Sequence, residues 1–164
     1  MGLMQKRFEV RAKGLNGAWY YGTYFEKLPY LPSPMGDMDY EKYKEDTIHY
    51  IYYQQASDWN LPYQDLKVVI LPHTLGTCTG MVVNTAKGHK EYLYEGDIVK
   101  FDLELVAEYE VIWDEDTLRF ALIYGNIDYI PLTVELSKHL IKIGDKYEIC
   151  SLRETVQETE SNPQ

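Results

Sequence analysis

Alternating apolar and polar residues dominate the chain between residues 94 and 124. Three runs share this period of two, which is typical of β-strands with one buried and one solvated face. The apolar positions of the runs are Val99, Phe101, Leu103 and Leu105, then Tyr109, Val111 and Trp113, then Leu118, Phe120, Leu122 and Tyr124. We therefore predict a meander of three strands whose other face is wet and acidic.

Further elements are predicted on both sides of this meander. Residues 7–25 contain two β-forming runs around Asn16-Gly17, a dipeptide that favours a hairpin turn. Residues 49–54 and 66–71 predict two more strands, and residues 37–46 predict a short helix. From residue 132, apolar positions near helical spacing predict a helix that ends at Gly144, and residues 146–150 predict a last short strand.

These elements predict a mainly β fold with minor α content. We expect an SH3-like small barrel or a strongly bent antiparallel sheet with a partly helical appendage. The 164 residues suit a single domain over residues 1–152, with the barrel meander at 92–150 and a Pro- and Tyr-rich insertion or appendage at 28–65. Residues 153–164 are polar and predict a disordered tail. No apolar run is long enough to cross a bilayer, so we expect a cytoplasmic protein with no membrane partner.

The charge of the chain is strongly acidic and uneven. The net charge is −10, and the window from Glu91 to Asp116 holds ten acidic residues against a single cation, Lys100. This sign makes duplex DNA an unlikely partner, because duplex binding depends on Lys and Arg that neutralise phosphates. The window is interpreted either as a solvated sheet face or as a surface for a basic partner protein, such as a DNA-binding protein. The candidate interaction surface comprises Asp102, Glu104, Glu108 and Glu110.

Motifs for the common catalytic chemistries are absent from the sequence. The four histidines lack metal-site spacing, and no phosphate-binding glycine loop or nucleophile elbow occurs. Consecutive acids at Asp114-Glu115-Asp116 could be imagined as a Mg²⁺ site, but they are more typical of a solvated turn. Cys78 and Cys150 are interpreted as reduced and structural. We therefore predict no catalytic residue, no metal and no cofactor.

Sixteen tyrosines offer a different kind of chemistry. Tyr50, Tyr52 and Tyr53 are the candidate stacking residues for bases of a single strand, and a second set is Tyr20, Tyr21 and Tyr24. Nearby positive charge would come from Lys6, Arg7, Arg11 and Lys13. The competing interpretation is that these aromatic side chains pack a core or a subunit interface.

Three patches of sequence together carry a family resemblance. The first is Phe8-Glu-Val-Arg11-Ala12 followed by Trp19-Tyr20-Tyr21. The second runs from Thr79-Gly80 through Gly88-His-Lys-Glu-Tyr-Leu to Tyr94-Glu-Gly96-Asp97-Ile-Val99, and the third is Ile143-Gly-Asp-Lys-Tyr-Glu148. In this order they resemble the YopX family of phage and prophage proteins. The sequence departs from the family after Glu148, and residues 28–65 have no clear counterpart there.

The resemblance to YopX proteins implies an SH3-like small barrel, self-association and a gene carried by phages, but it implies no established activity. Within the middle patch we interpret Gly80, Gly96 and Asp97 as structural turn residues, with Gly96 adopting a backbone angle that other residues resist.

The leading hypothesis is therefore a non-enzymatic phage accessory protein of the host cytoplasm that forms a homo-oligomer and binds another macromolecule. The alternatives are a barrel that binds single-stranded nucleic acid and an enzyme with an unrecognised carboxylate site.

Overall fold

The computed structural model describes residues 9–28, 40–55, 63–102, 107–125 and 128–148. Over the described residues the protein is mainly β, with 63% strand and 12% helix, and its sheet structure is bent and unclosed, which confirms the predicted fold class. The SH3-like arrangement stays a prediction. No helix within the described ranges is long and apolar enough to span a membrane.

The chain divides between Leu75 and Gly76 into two compact units, which we call the N-terminal unit and the C-terminal unit. A single domain over residues 1–152 stays a prediction. The predicted tail at 153–164 and much of the predicted insertion at 28–65 lie outside the described residues.

The N-terminal unit is built on an antiparallel meander of four strands. In chain order these are β1 (Val10–Lys13), β2 (Trp19–Lys27), β3 (Ile48–Gln55) and β4 (Gln64–Val69), and the helix α1 (Tyr40–Glu45) precedes β3. The β1–β2 hairpin turns at the predicted Asn-Gly, where Gly17 has φ +78° and the Asn16 side chain accepts a hydrogen bond from Ala18 N at 3.1 Å. The short helix and the two strands predicted after it agree with α1, β3 and β4.

One face of this sheet forms the core of the N-terminal unit. Ala12, Ile51 and Ile70 are almost fully buried there, and aromatic side chains that include Tyr20, Tyr24 and Tyr53 pack against them. β2 and β3 approach so closely that a Cβ on Gly22 would lie 1.9 Å from the carbonyl oxygen of Tyr52. A residue without a side chain is therefore required at position 22.

The C-terminal unit contains seven described strands: β5 (Gly76–Thr85), β6 (Lys90–Tyr94), β7 (Asp97–Phe101), β8 (Tyr109–Asp114), β9 (Arg119–Tyr124), β10 (Asp128–Pro131) and β11 (Leu140–Asp145). They pair in the spatial order β10-β9-β8-β7-β11-β5-β6. All pairs are antiparallel except β11 with β5, which is parallel. The single-turn helix α2 (Val134–Ser137) precedes β11, and the Thr133 hydroxyl caps it by accepting from Leu136 N.

The predicted period of two correctly identifies most of the C-terminal core. Val99, Tyr109, Val111 and Leu122 are buried together, whereas Leu103 lies outside the described residues, as does the predicted inward position 105. Trp113, Leu118 and Tyr124 are less buried than expected, at 39%, 73% and 41% exposed. The rings of Trp113 and Tyr124 still contact Phe120 and the buried Tyr109, whereas Leu118 does not reach the core cluster. Trp113 is the last residue but one of β8, Leu118 precedes β9 and Tyr124 ends it, so all three lie toward the margins of the core.

The helix predicted from residue 132 to Gly144 is also wrong. Only Val134–Ser137 is helical, and Leu140–Asp145 is a strand that pairs with β7 on one side and β5 on the other. Two flanking strands supply backbone partners that override the near-helical spacing of the leucines. Residues 146–148 form a helical turn instead of the predicted last strand, since the Asp145 carboxylate accepts from the backbone N–H groups of Tyr147 and Glu148.

Candidate functional site

The face of the N-terminal sheet opposite its core carries a continuous set of aromatic side chains. Successive residues of a strand point to opposite faces, so the residues two apart in β2 and β3 share this side. We call Trp19, Tyr21, Phe25, Tyr50 and Tyr52 the aromatic face. The β2–β3 register pairs Phe25 with Tyr50 and Thr23 with Tyr52, which brings rings from both strands together.

Three of these rings form a stack. The ring centre of Phe25 lies 5.0 Å from that of Tyr50 with an interplanar angle of 9°, and 4.3 Å from that of Tyr52 with an angle of 23°. Tyr52 is 46% exposed and Tyr21 is 43% exposed. The stack is therefore already formed and presents open aromatic surface to solvent.

Cationic side chains lie over the ends of the aromatic face. The guanidinium carbon of Arg11 is 4.4 Å from the centre of the Trp19 ring, and Lys13 Nζ is 5.3 Å from it. On the other side, Lys67 Nζ is 5.3 Å from the centre of the Tyr50 ring. Among the strand residues, alternation also places Lys27 and the acidic Asp65 on this side. Positive charge therefore exceeds negative charge on this face, although the whole chain is acidic.

The predicted stacking residues separate onto the two faces of the sheet. Tyr50 and Tyr52 lie on the aromatic face, whereas Tyr53 lies on the core side with its ring centre 5.4 Å from that of Tyr20. Of the second predicted set, Tyr21 lies on the aromatic face and Tyr24 packs against the core. Adjacent residues of a strand cannot share a face, so neither predicted set acts as a unit.

Tyr24 is held in a hydrogen-bonded cluster on the core side. Its hydroxyl donates to Glu26 Oε1 at 2.6 Å and lies 2.7 Å from His49 Nδ1. Desolvation by burial, together with the hydrogen bond to Glu26 and the charge of that carboxylate, raises the pKa of Tyr24 to about 12. These contacts orient the ring and do not leave it available for a ligand.

Sequence reasoning missed three members of this site: Trp19, Phe25 and Lys67. The signal was present in the alternation of Trp19, Tyr21, Thr23 and Phe25 along β2. Lys67 could not be found in this way, because only the β3–β4 register brings it opposite Tyr52 and beside Tyr50. The predicted cations Lys6 and Arg7 lie outside the described residues.

The predicted acidic interaction surface is partly neutralised within the chain. Glu110 Oε1 lies 2.9 Å from Lys146 Nζ, and Asp102 Oδ2 lies 3.6 Å from His139 Nδ1. Burial lowers the pKa of Lys146, but the hydrogen bond and the charge of Glu110 outweigh it, and the pKa is raised overall. Glu108 is exposed, and Glu104 lies outside the described residues.

The residues interpreted as structural turns have positive φ angles or hydrogen-bonded side chains. Gly96 has φ +81°, and the fully buried Asp97 accepts a hydrogen bond from Tyr94 N at 2.8 Å. Asp97 also pairs with Lys142 Nζ at 3.2 Å, a partner from β11 that no sequence pattern indicated. Gly80 has φ +77° in the irregular part of β5, between the paired residues Cys78 and Val82.

The carboxylates at residues 114–116 do not converge on one point. Asp114 accepts hydrogen bonds from the hydroxyls of Thr117 and Tyr129 and from the backbone of Asp116 and Thr117. The hydroxyls of Thr117 and Tyr129 contribute most to lowering the pKa of Asp114 to about 2. Among the described residues, no group of three His, Cys, Asp or Glu side chains has the arrangement of a metal site. Cys78 is buried, and its Sγ accepts a hydrogen bond from Gly80 N at 3.4 Å.

Comparison with known proteins does not place the chain in a family. No protein-family model matches it, and no curated protein matches it. The resemblance to YopX proteins therefore stays a prediction that rests on the three sequence patches.

Proposed function

We propose that this protein is a non-enzymatic binding protein and that its aromatic face binds single-stranded nucleic acid by base stacking. The observation that carries the proposal is the open stack of Tyr52, Phe25 and Tyr50 with Lys67 beside it. The stack and its flanking cations combine the two elements that sequence-tolerant single-strand binding requires, ring surfaces for bases and positive charge for phosphates.

Exposed ring surface and nearby positive charge both favour binding of a single strand. A base that stacks on an aromatic side chain contributes about 1–3 kcal/mol by alanine substitution, and every base has a π-face. Tyr52 and Tyr21 already expose ring surface, so little rearrangement is needed before binding. Lys13, Lys27 and Lys67 are the cations on this side that solvent reaches. Three phosphate contacts on a single strand predict a salt slope of about −2 in a plot of log affinity against log salt.

Self-association through the same face is the second candidate function. Ile48, Tyr21 and Tyr52 are all more than one-third exposed on this side of the sheet, and exposed aromatic side chains are enriched in subunit interfaces. The acidic surface is the weaker candidate for a basic partner, because Glu110 and Asp102 already have cationic or histidine neighbours. A phage origin, and a place in the host cytoplasm, are proposals supported only by the YopX resemblance.

The test is fluorescence anisotropy with a labelled single-stranded oligonucleotide of about 20 nucleotides, at several salt concentrations. We expect Tyr52→Ala to weaken binding at least about fivefold and Tyr52→Phe to retain it, because the phenyl ring keeps the stacking surface. Lys67→Ala should reduce the steepness of the salt dependence. Tyr124→Ala, which removes a 41% exposed tyrosine from the C-terminal unit, serves as the matched control.

Sedimentation of the same variants separates the two candidates. Absence of oligonucleotide binding at about 50 mM salt, where electrostatic contacts are strong, would overturn the proposal. A wild-type dimer that Tyr52→Ala converts to a monomer, without any oligonucleotide binding, would support self-association instead.

A further inference from the structure

A pocket opens in the C-terminal unit. Its volume is about 520 Å³, within the range of small-molecule sites. Its apolar lining, which we call the apolar wall, includes Met81, Leu132 and the end of the β8–β9 hairpin. Thr77 and Glu95 also line the pocket. The pocket therefore offers both a surface for an apolar body and polar groups that could orient it.

The apolar wall continues the core but is open to solvent. Trp113 and Phe120 are register partners across β8 and β9, and their ring centres lie 4.9 Å apart at an angle of 69°. Trp113 remains 39% exposed, whereas Val111 and Leu122 next to this pair are fully buried. An edge-to-face aromatic pair with one open ring is a surface that a flat apolar group can cover.

Leu118, which lines the pocket, has an unfavourable backbone angle and an exposed apolar side chain. Its φ of +51° makes it the one non-glycine residue with positive φ among the described residues, and the other positive-φ positions there are all glycine. It is also 73% exposed. An L-residue in this backbone region costs about 1–2 kcal/mol, which Gly would avoid. Strain of this kind is concentrated at ligand sites, and Leu118 lines the pocket.

The charge around the pocket favours a cation. Residues 76–148 contain seven Lys and Arg against fourteen Asp and Glu. Glu95 is the carboxylate in the lining, and its Oε2 accepts a hydrogen bond from Thr77 N at 3.5 Å. Its charge acts on Lys146, whose Nζ is hydrogen-bonded to Glu110 at 2.9 Å, so two carboxylates share one ammonium group there. Arg119 also lines the pocket, but alternation along β9 directs its side chain away from the face that carries Phe120. An aromatic ring and a carboxylate in one pocket are the groups that recognise organic ammonium ions.

We propose that this pocket binds a small organic cation that carries an ammonium or guanidinium group on an apolar or aromatic body. The body packs against Trp113, Phe120 and Leu118, and the cationic group lies at Glu95. The pocket shares no residue with the aromatic face, so its test does not depend on nucleic-acid binding.

The test uses the full chain and three probes of matched shape: phenethylamine, phenethyl alcohol and phenylacetate. Binding is followed through the indole N–H signal of Trp113 in a proton–nitrogen correlation spectrum, assigned with Trp113→Phe. We expect a saturable shift with the amine, affinity about fivefold weaker for the alcohol, and the weakest binding for the carboxylate. An acetylated Phe-Lys amide is the fourth probe. If it binds more tightly than phenethylamine, the cation belongs to a basic peptide side chain. If it binds more weakly, the cation is a free amine.

Two variants distinguish a ligand site from a structural feature. Glu95→Gln should abolish the preference for the amine over the alcohol while leaving the alcohol affinity unchanged. Leu118→Gly should weaken all three probes severalfold without lowering thermal stability, because the backbone strain is relieved. Leu15→Gly, at a 71% exposed turn leucine of the N-terminal unit, is the matched control and should leave binding unchanged. Equal affinity for the three probes, or an unaltered affinity in Leu118→Gly, would overturn the proposal.

Discussion

Replacing Lys142 with methionine tests whether the buried carboxylate of Asp97 depends on its partner. The side chain of Asp97 is fully buried, Lys142 Nζ lies 3.2 Å from its Oδ2, and the Lys142 side chain is 14% exposed. At that distance and an effective dielectric of about 20, the attraction is about 5 kcal/mol. Desolvation of both groups offsets part of it, but removing one partner of a buried pair typically costs about 3–5 kcal/mol.

The expected cost of Lys142→Met lies at the lower end of this range, about 3 kcal/mol, because Asp97 keeps its hydrogen bond from Tyr94 N. The second ion pair of Lys142, to Glu91 at 3.3 Å, adds at most about 1 kcal/mol because the Glu91 side chain is 53% exposed. For a chain of this size we expect the melting temperature to fall by on the order of 10 °C.

Urea unfolding of a double-mutant cycle provides the measurement. Asp97→Asn combined with Lys142→Met should recover about 2 kcal/mol relative to Lys142→Met alone, because no buried charge remains. Lys138→Met is the matched control: its pair with Glu135 is 2.7 Å long but 59% and 82% exposed, so little change is expected. Strictly additive effects in the cycle, or equal costs for Lys142→Met and Lys138→Met, would refute this reasoning.

Two further predictions concern acid stability and strand packing. The pKa of Asp114 is lowered to about 2 from an ordinary value of 3.8, so its contribution to stability is present above about pH 4 and is lost as the pH falls toward 2. Asp114→Asn should remove this acid-dependent loss in urea titrations between pH 5 and 2, whereas Asp116→Asn should retain it, and identical pH profiles would contradict the assignment. Gly22→Ala should destabilise the protein by more than about 2 kcal/mol, because its Cβ would meet the Tyr52 carbonyl oxygen at 1.9 Å. Gly17→Ala, at φ +78° with no atom near the new Cβ, should cost only about 1 kcal/mol by thermal unfolding, and a cost equal to that of Gly22→Ala would disprove the steric explanation.

Local patterns predicted the strands whose partners are close in sequence. The alternation from Val99 to Leu122 identified the buried face of β7, β8 and β9, since one wet face leaves a clear period of two. The same approach failed for Leu140, where leucine spacing suggested a helix, because β11 is fixed by strands that lie far away in sequence. The periodicity of a segment carries no information about strand partners that are distant in sequence.

In the candidate sites, too, local features could be predicted from the sequence, whereas contacts between residues distant in sequence could not. The turn at Gly96 and Asp97 could be predicted from composition, whereas the Lys142 partner could not. Tyr50 and Tyr52 were identified as stacking candidates from aromatic content, but assigning Tyr53 to the same group ignored strand alternation. The pocket was not predicted, because its lining comes from β5, the β6–β7 turn, the β8–β9 hairpin and the segment before α2.

The position of β11 has a consequence for how the C-terminal unit folds. β11 lies between β7 and β5, so the strands before it in the chain form two groups that only this late strand joins. Until residues 140–145 are synthesised, one edge of β7 and the end of β5 at Asn84 and Thr85 lack their β11 partner, and an unpaired edge is a template for wrong pairing. Non-local closure of this kind slows folding, and the interval before β11 inserts is when a nascent chain is most exposed to aggregation.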